Sequence, residues 1–116
     1  MNIGIKTSTL IAVAVGLSAA TLSMTGFAAD LDLALTIKDH RFEPSEIKVP
    51  ANQRVRLSVH NQDNAAEEFE SKSLKREKVI PAGAKAAILI GPLKPGRYEF
   101  FGEFHEATAR GVVVAE

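Results

Sequence analysis

The sequence predicts an all-β sandwich or barrel, and two observations carry that prediction. Apolar and polar residues alternate with a period of two in several short segments, as they do on strands with one buried face. Clusters of proline, glycine and asparagine separate these segments at short, regular intervals. The charged stretch at residues 72–78 also lacks the apolar spacing of an amphipathic helix of useful length.

Each predicted element has its own signal along the chain. Apolar residues alternate with polar or small ones over residues 31–37, 47–49 and 55–59, which predicts three half-buried strands. Further strands are predicted at residues 86–90, 98–101 and 111–115. Turns rich in proline, glycine or asparagine separate the strands, at residues 42–44, 50–52, 61–64, 81–83 and 91–96.

Residues 1–28 are predicted to be a secretory signal peptide. Lys6 supplies a positive charge, a mostly apolar segment follows over residues 10–20, and small residues surround Phe27. This order is typical of export signals, and the apolar segment is short and interrupted for a membrane span. Cleavage after Ala28 would leave residues 29–116 as one exported domain, with an uncleaved anchor as the alternative.

The charge balance and the cysteine count narrow the function classes. The chain has 14 basic and 14 acidic residues, so it carries no electrostatic footprint for nucleic acid or an anionic membrane. It has no cysteine, which excludes disulfide stabilisation and a cysteine nucleophile. Ser71 and Ser73 lack an evident His/Asp partner set, and no phosphate-binding glycine loop is present.

A short loop between the last two predicted strands carries a histidine and two carboxylates. Glu103, His105 and Glu106 lie between the strands at residues 98–101 and 111–115. Imidazole and carboxylate form a hard to borderline ligand set, which suits iron, Mn(II), Zn(II) and Cu(II) and disfavours Cu(I). The loop is therefore a candidate metal site whose chemistry is limited by the absence of a thiolate.

Two patterns together resemble the cupredoxins, which are small periplasmic Greek-key sandwiches that hold copper. The first pattern is FEP at residues 42–44 followed by IKVPA at residues 47–51. The second is PGRYEF at residues 95–100, followed by the candidate loop and GVVV at residues 111–114. The resemblance covers nearly all of the predicted domain, and it implies a Greek-key β-sandwich.

The departures from the cupredoxin pattern concern the metal ligands. A typical cupredoxin has a histidine two residues before a phenylalanine, and this chain has Glu67 before Phe69. The usual cysteine position of the C-terminal loop is Gly102, while the histidine position is kept as His105. Three of the four usual ligands are absent, including the thiolate, so the chain is not expected to be a blue-copper electron carrier.

Four segments resemble a narrower group within the cupredoxins. They read AEEFES, LKREKVIPAG, IGPLKPGRYEFFGEFHEATA and GVVVAE. The group contains the small periplasmic cupredoxin components of bacterial ferrous-iron uptake systems and the cupredoxin domain of EfeO-type proteins. The resemblance implies a periplasmic location and an iron and/or copper ion as cofactor. It also implies an inner-membrane iron permease and other periplasmic iron-uptake components as partners.

The expected direction of each side chain indicates which candidate ligands can bind the metal directly. On a strand, Glu67 shares a face with Phe69, which should point into the sandwich, so Glu67 should face inward near the strand end. Glu103 and His105 share a side if the backbone between them stays extended. Glu67, Glu103 and His105 are therefore predicted to bind the metal directly.

Other acidic residues are predicted to support this site or to form a second site nearer the surface. They are Glu68, Glu70, Glu77 and Glu106. Lysines and an arginine at residues 72–78 lie beside the first three, so a solvated, charge-balanced surface is the alternative explanation for them. His40, in a polar turn, and His60, at a strand end, are predicted to be surface residues.

The leading interpretation is a periplasmic protein that binds iron and/or copper and assists ferrous-iron oxidation for uptake. An anionic, oxygen-rich site stabilises Fe(III) more than Fe(II), and each tenfold difference in affinity shifts the one-electron potential by about 59 mV. Whether the protein has ferroxidase-like turnover is left open by the sequence. The alternatives are a passive copper or iron chaperone without turnover and a metal-free interaction module on a degenerate cupredoxin fold.

Overall fold

The structure, a computed structural model, describes Gly4 and residues 30–116. Apart from Gly4, the predicted signal peptide lies outside the described residues, so its boundary stays a prediction. Among the described residues, no helix has the length and apolar character needed to cross a membrane.

The described chain is almost entirely β-structure. The strands are β1 (Leu31–Lys38), β2 (Arg41–Glu43), β3 (Glu46–Val49), β4 (Val55–Asn61), β5 (Glu67–Ser71), β6 (Arg76–Ile80), β7 (Lys85–Ile90), β8 (Gly96–Gly102) and β9 (Arg110–Ala115). One turn of 3-10 helix, Glu103–His105, stands between β8 and β9. The predicted all-β class is confirmed.

The strands form two sheets that pack face to face. One sheet has the order β2-β1-β4-β7, and the other has the order β3-β9-β8-β5-β6. Strands β1 and β4 are parallel, as are β3 and β9, and the remaining pairs are antiparallel. Parallel neighbours need long connections, so the chain crosses between the sheets repeatedly, as it does in a Greek-key sandwich.

The core lies between the two sheets and is filled from alternate positions of each strand. On β4, Val55, Leu57 and Val59 are at most 1% exposed, while the arginine and serine between them face water. Burying each such aliphatic side chain contributes about 1.5–3 kcal/mol. Around the end of β8, Phe100 stacks on Phe69 and meets Phe42 edge to face, each at a ring-centroid distance of 5.0 Å. Phe69 is paired with Gly102, the residue before the candidate metal loop, so the aromatic group lies next to that loop.

Three local elements differ from those expected from the sequence. Residues 41–43 pair with the end of β1 as a short strand, and residues 76–80 pair with β5. Their charged side chains obscure the apolar–polar alternation that would have predicted these strands. Residues 103–105 form the 3-10 turn and are not extended. A strand whose side chains mostly face solvent needs few apolar residues, so the periodicity of apolar residues does not reveal it.

Candidate metal centre

Glu67 is the buried acid at the centre of the site. It begins β5 on the inward face, as the alternation predicts, and it is 1% exposed. Its Oε1 accepts hydrogen bonds from the backbone N–H groups of Glu68 and Phe104, both at 3.0 Å. Its Oε2 contacts Nδ1 of His105. A buried carboxylate needs such partners, because burying an unpaired charge would cost several kcal/mol or more.

His105 approaches Glu67 from the 3-10 turn after β8. Its backbone C=O accepts hydrogen bonds from Thr108 (3.1 Å) and Ala109 (2.8 Å), which closes the loop before β9. With the Glu67 carboxylate as acceptor, Nδ1 of His105 donates, and Nε2 is left available. The side chain is 28% exposed, so an ion can reach it from solvent.

His40 completes the group from the other sheet. Its ring stacks on that of His105 with a centroid distance of 3.6 Å and an interplanar angle of 12°. Asp39 and His40 are the two turn residues between β1 and β2, and both have positive φ angles, 51° and 57°. This is the backbone of a two-residue hairpin turn, which asparagine and glycine normally adopt.

The β1–β2 turn is held by two other loops. The carboxylate of Asp63 accepts hydrogen bonds from the backbone N–H groups of Asp39 (2.7 Å) and His40 (3.0 Å). The hydrogen bond from His40, followed by that from Asp39, lowers the pKa of Asp63 from its usual value. The Thr108 hydroxyl donates to the C=O of His40 at 2.6 Å. Asp63 Oδ2 also lies 3.5 Å from Nδ1 of His40, which leaves Nε2 of His40 available.

Gly102 makes room for Glu67. A Cβ at residue 102 would lie 2.6 Å from Cδ and 2.8 Å from Oε1 of Glu67, and 2.7 Å from the Cβ of Ala109. The backbone of Gly102 is extended, with φ −92°, so the glycine is required for space rather than for conformation. The position that resembles the cupredoxin cysteine is thus occupied by the carboxylate of Glu67.

Together, His40, Glu67 and His105 can offer three ligand atoms to one cation. One ligand atom from each residue lies within 4.8 Å of the other two. With bonds of about 2.0–2.2 Å to nitrogen and oxygen, ligands of one ion lie up to about 4.4 Å apart, so small side-chain adjustments would suffice. Two imidazoles and one carboxylate fit Cu(II), Zn(II) or Fe(II) and do not fit the thiolate-based blue-copper site.

A second group of carboxylates lies on the opposite side of β5. It consists of Glu68, Glu70, Glu77 and Glu103, and one oxygen from each lies within 4.8 Å of the others. Proton sharing with Glu77, burial and the charge of Glu103 raise the pKa of Glu68 to about 7. Proton sharing with Glu103, burial and the charges of Glu103 and Glu77 raise the pKa of Glu70, while Lys72 opposes the shift.

The structure brings together only part of the predicted ligand set. Glu67 and His105 meet as expected, but Glu103 joins the carboxylate group and not the pair with His105. The prediction that Glu103 and His105 share a side is wrong because it assumed extended backbone, whereas the 3-10 turn rotates successive side chains by about 120°. Glu106 is exposed and belongs to neither group.

His40 is not among the ligands predicted from the sequence, because its place in a polar turn predicts a surface residue. Its side chain is 44% exposed, yet its ring lies on His105. The signal that could have found it is the hairpin: pairing Lys38 with Arg41 leaves Asp39 and His40 as the turn. His60, the other histidine expected at the surface, is half-buried on β4 and lies outside both groups.

The fold and the site together define a small β-sandwich of the cupredoxin type whose ligand loop has no cysteine. The family model of the cupredoxin-like domain matches residues 8–115, and the chain belongs to that family. Uncharacterized protein RP394 of Rickettsia prowazekii (strain Madrid E) is 46% identical over 84 residues, which are 72% of this chain and 67% of that protein.

Solved cupredoxin structures share the fold at low sequence identity. Auracyanin A, a blue copper protein from Chloroflexus aurantiacus, gives a TM-score of 0.65 at 11% identity, covering 75% of this chain and 99% of that one. The metal-binding domain of the Cu(I)-exporting P-type ATPase CopA of Streptococcus pneumoniae D39, solved with Cu(I), gives 0.63 at 15% identity, covering 73% and 84%. At these identities the likeness shows the fold alone.

Proposed function

We propose that this protein binds a copper or iron ion through His40, Glu67 and His105 and assists the oxidation of Fe(II) for iron uptake in the periplasm. The observation that carries the proposal is Glu67, a carboxylate that is 1% exposed and in contact with one of two stacked imidazoles. Burying an acid is costly unless it has partners, and Glu67 lies beside two imidazoles that can share a cation with it.

The donor set supports ions at the border between hard and soft. Two histidines and one carboxylate are also the ligands of non-haem Fe(II) centres, and imidazole is a common ligand of Cu(II). The structural neighbours auracyanin A and the CopA domain are named for copper, which supports copper as one candidate. The anionic Glu67 would stabilise Fe(III) over Fe(II) and so make loss of one electron easier, with dioxygen or a partner protein as the acceptor.

The periplasmic location, the iron permease and the other uptake components belong to the same proposal. They are supported by the export-type N-terminal segment and by the resemblance of the ligand-loop segments to ferrous-iron uptake components. The site opens at the end of the sandwich, where His40 and His105 are partly exposed, so a partner could exchange an ion there.

The direct test is titration of the purified chain with Cu(II), and with Fe(II) under anaerobic conditions. The test variant combines His40→Asn with His105→Gln, since asparagine tolerates the positive φ angle of residue 40. His60→Gln is the matched control, because it removes a histidine outside the site. We expect at least tenfold weaker binding in the test variant and no change in the control.

Oxygen consumption during aerobic addition of Fe(II) separates turnover from binding. Acceleration over the protein-free rate, lost in the test variant, supports assisted oxidation. Equal metal affinity in wild type and the test variant would contradict the assignment of the site to His40 and His105.

A passive metal chaperone is the second candidate, and the exposure of the two histidines favours it. An ion bound by partly exposed imidazoles can be passed to another protein without a change of oxidation state. This candidate predicts stoichiometric binding, transfer of Cu(II) to a competing chelator, and an unchanged rate of Fe(II) oxidation.

A further inference from the structure

We propose that the outer face of the five-stranded sheet binds a small organic anion with a carboxylate at each end, in an open groove along β8. The groove has a volume of about 520 Å³, which lies within the range of small-molecule sites. It shares no side chain with the His40–Glu67–His105 centre, so it does not depend on the proposed function. Its lining consists of Lys72, Ser73, Arg97, Glu99, Phe101 and Arg110.

The strand register brings the two arginines of the groove to one face of the sheet. Arg97, Glu99 and Phe101 are alternate residues of β8, so their side chains share a face. Phe101 pairs with Arg110 of β9, which places the second arginine beside the aromatic ring. Four residues of strand, or about 13 Å of backbone, separate Arg97 from Phe101. The two arginines therefore enter the groove from opposite ends.

The turn after β5 supplies the side of the groove that carries Lys72 and Ser73. The hydroxyl of Ser71 donates a hydrogen bond to the C=O of Glu99 at 2.6 Å and accepts one from the backbone N–H of Leu74 at 3.2 Å. These bonds tie the turn to β8. The backbone that carries Lys72 is thus in place before a ligand binds, which limits the entropy that binding costs.

The basic side chains of the groove are not paired with acids of the described chain. Within residues 30–116, Lys72, Arg97 and Arg110 form no ion pair. The side-chain hydrogen bonds that arginines donate in the same range come from Arg54 and Arg76. The guanidinium groups of the groove therefore keep their donors for a ligand, and such groups bind planar carboxylates with two parallel hydrogen bonds.

Glu99 and Phe101 narrow the class of anion. Glu99 lies between the two arginines, so its carboxylate disfavours negative charge at the middle of a ligand and can accept a hydrogen bond from a hydroxyl there. Phe101 is half-buried and offers an apolar contact to a carbon chain. A dicarboxylate with hydroxyl groups between its ends meets these requirements.

The ligand should lie on the β9 side of Phe101. Glu70 is the partner of Phe101 on β5, so the acidic side chains of β5 and β6 begin on the opposite side of the ring. They would repel an anion there. Lys72 offsets part of this repulsion, because it lies close enough to Glu70 to lower the pKa of that carboxyl against its other neighbours.

Calorimetric titration of the purified, metal-free chain with glucarate tests the site. Glucarate is a six-carbon dicarboxylate with hydroxyl groups between its ends. Wild type and His40→Asn/His105→Gln should bind one glucarate with equal affinity. Arg97→Gln/Arg110→Gln should weaken binding at least tenfold, since hydrogen bonds to charged groups are lost. Arg54→Gln/Arg56→Gln is the matched control, because it removes the same charge from the other sheet, and it should leave the affinity within twofold.

Adipate, which has the same carbon chain and charge without the hydroxyl groups, tests the part assigned to Glu99. It should bind about fivefold more weakly than glucarate, because it cannot donate a hydrogen bond to that carboxylate. Equal affinity for the two dicarboxylates would contradict the preference for a hydroxylated ligand.

Backbone amide shifts of the wild-type chain locate the ligand without any substitution. On addition of glucarate, the signals of residues 72–73, 97–101 and 110 should shift first. Shifts centred elsewhere would overturn the proposal, as would the absence of saturable binding. Equal losses in the two arginine double variants would also overturn it, because net positive charge alone would then attract the anion. Failure of Cu(II) or Fe(II) to bind at the histidines would contradict the proposed function and leave this site standing.

Discussion

Glu67 and Gly102 depend on each other at the centre of the site. The carboxylate of Glu67 lies so close to the α-carbon of residue 102 that a Cβ there would be 2.6 Å from Cδ. A cysteine at residue 102 and the inward carboxylate therefore exclude each other in this backbone. The carboxylate thus takes the space that a thiolate side chain at residue 102 would need, and a carboxylate favours harder ions than a thiolate does.

Replacing Gly102 with alanine should destabilise the fold by about 1–3 kcal/mol, because the methyl group would overpack against Glu67 and Ala109. Urea unfolding measures the loss. Adding Ala109→Gly should recover only part of it, since the contact with Glu67 stays. An unchanged unfolding midpoint in Gly102→Ala would show that the carboxylate does not occupy this space.

At the scale of elements, sequence periodicity predicts most of the strands and the loop that carries His105. It does not predict the turn that carries His40. Alternation along β5 predicts that Glu67 faces inward with Phe69, and both are buried. The same rule failed for Glu103 because a single 3-10 turn follows Gly102. It could not find His40, whose position depends on pairing across β1 and β2. Contacts between distant segments are set by the whole sandwich and leave little trace in local patterns.

Asp63 should control how well His40 binds a metal. Its carboxylate accepts both amide hydrogens of the Asp39–His40 turn and lies beside Nδ1 of His40. Asp63→Asn would leave one amide facing an NH₂ group, so the turn should loosen. We expect about tenfold weaker Cu(II) binding, as is typical when a residue that orients a ligand is lost. Asp32→Asn, which changes an exposed pair with Arg56, is the control. Equal losses in both variants would contradict a role specific to the turn.

At the scale of the whole molecule, the histidine-containing group and the carboxylate group affect the stability of the metal-free fold in different ways. The His40–Glu67–His105 group is internally compensated, since the buried carboxylate has hydrogen-bond donors. The carboxylate group on the outer sheet face is not, and it raises the pKa of Glu68 to about 7. A charge imbalance of this kind makes stability depend on pH.

Without metal, the free energy of unfolding should fall as pH rises from about 4.5 to about 7. Over this range the folded chain holds protons on Glu68 and Glu70 that the unfolded chain has released, so raising the pH favours unfolding. Glu77 and Glu103 face these groups and strengthen the effect, while Lys72 opposes it at Glu70. Thermal melts at several pH values measure it. Glu68→Gln should flatten the decline, and an equally steep decline in that variant would contradict this origin.

Metal binding should raise the stability of this small domain, which has no disulfides. A ligand at 100 times its dissociation constant stabilises the folded state by about 2.7 kcal/mol. The melting temperature should therefore rise with Cu(II) in the wild type and in His60→Gln, and rise clearly less in His40→Asn/His105→Gln. A rise of equal size in all three proteins would place the ion elsewhere.

Electron paramagnetic resonance of the protein loaded with one Cu(II) tests the central claim most directly, because it counts the nitrogen ligands. The His40–Glu67–His105 centre predicts coupling to two imidazole nitrogens in wild type and in His60→Gln, and to one in His40→Asn. It also predicts no intense thiolate absorption band, since the chain has no cysteine. A spectrum without nitrogen coupling, or one that is the same in wild type and His40→Asn, would contradict the claim that these residues form the metal centre.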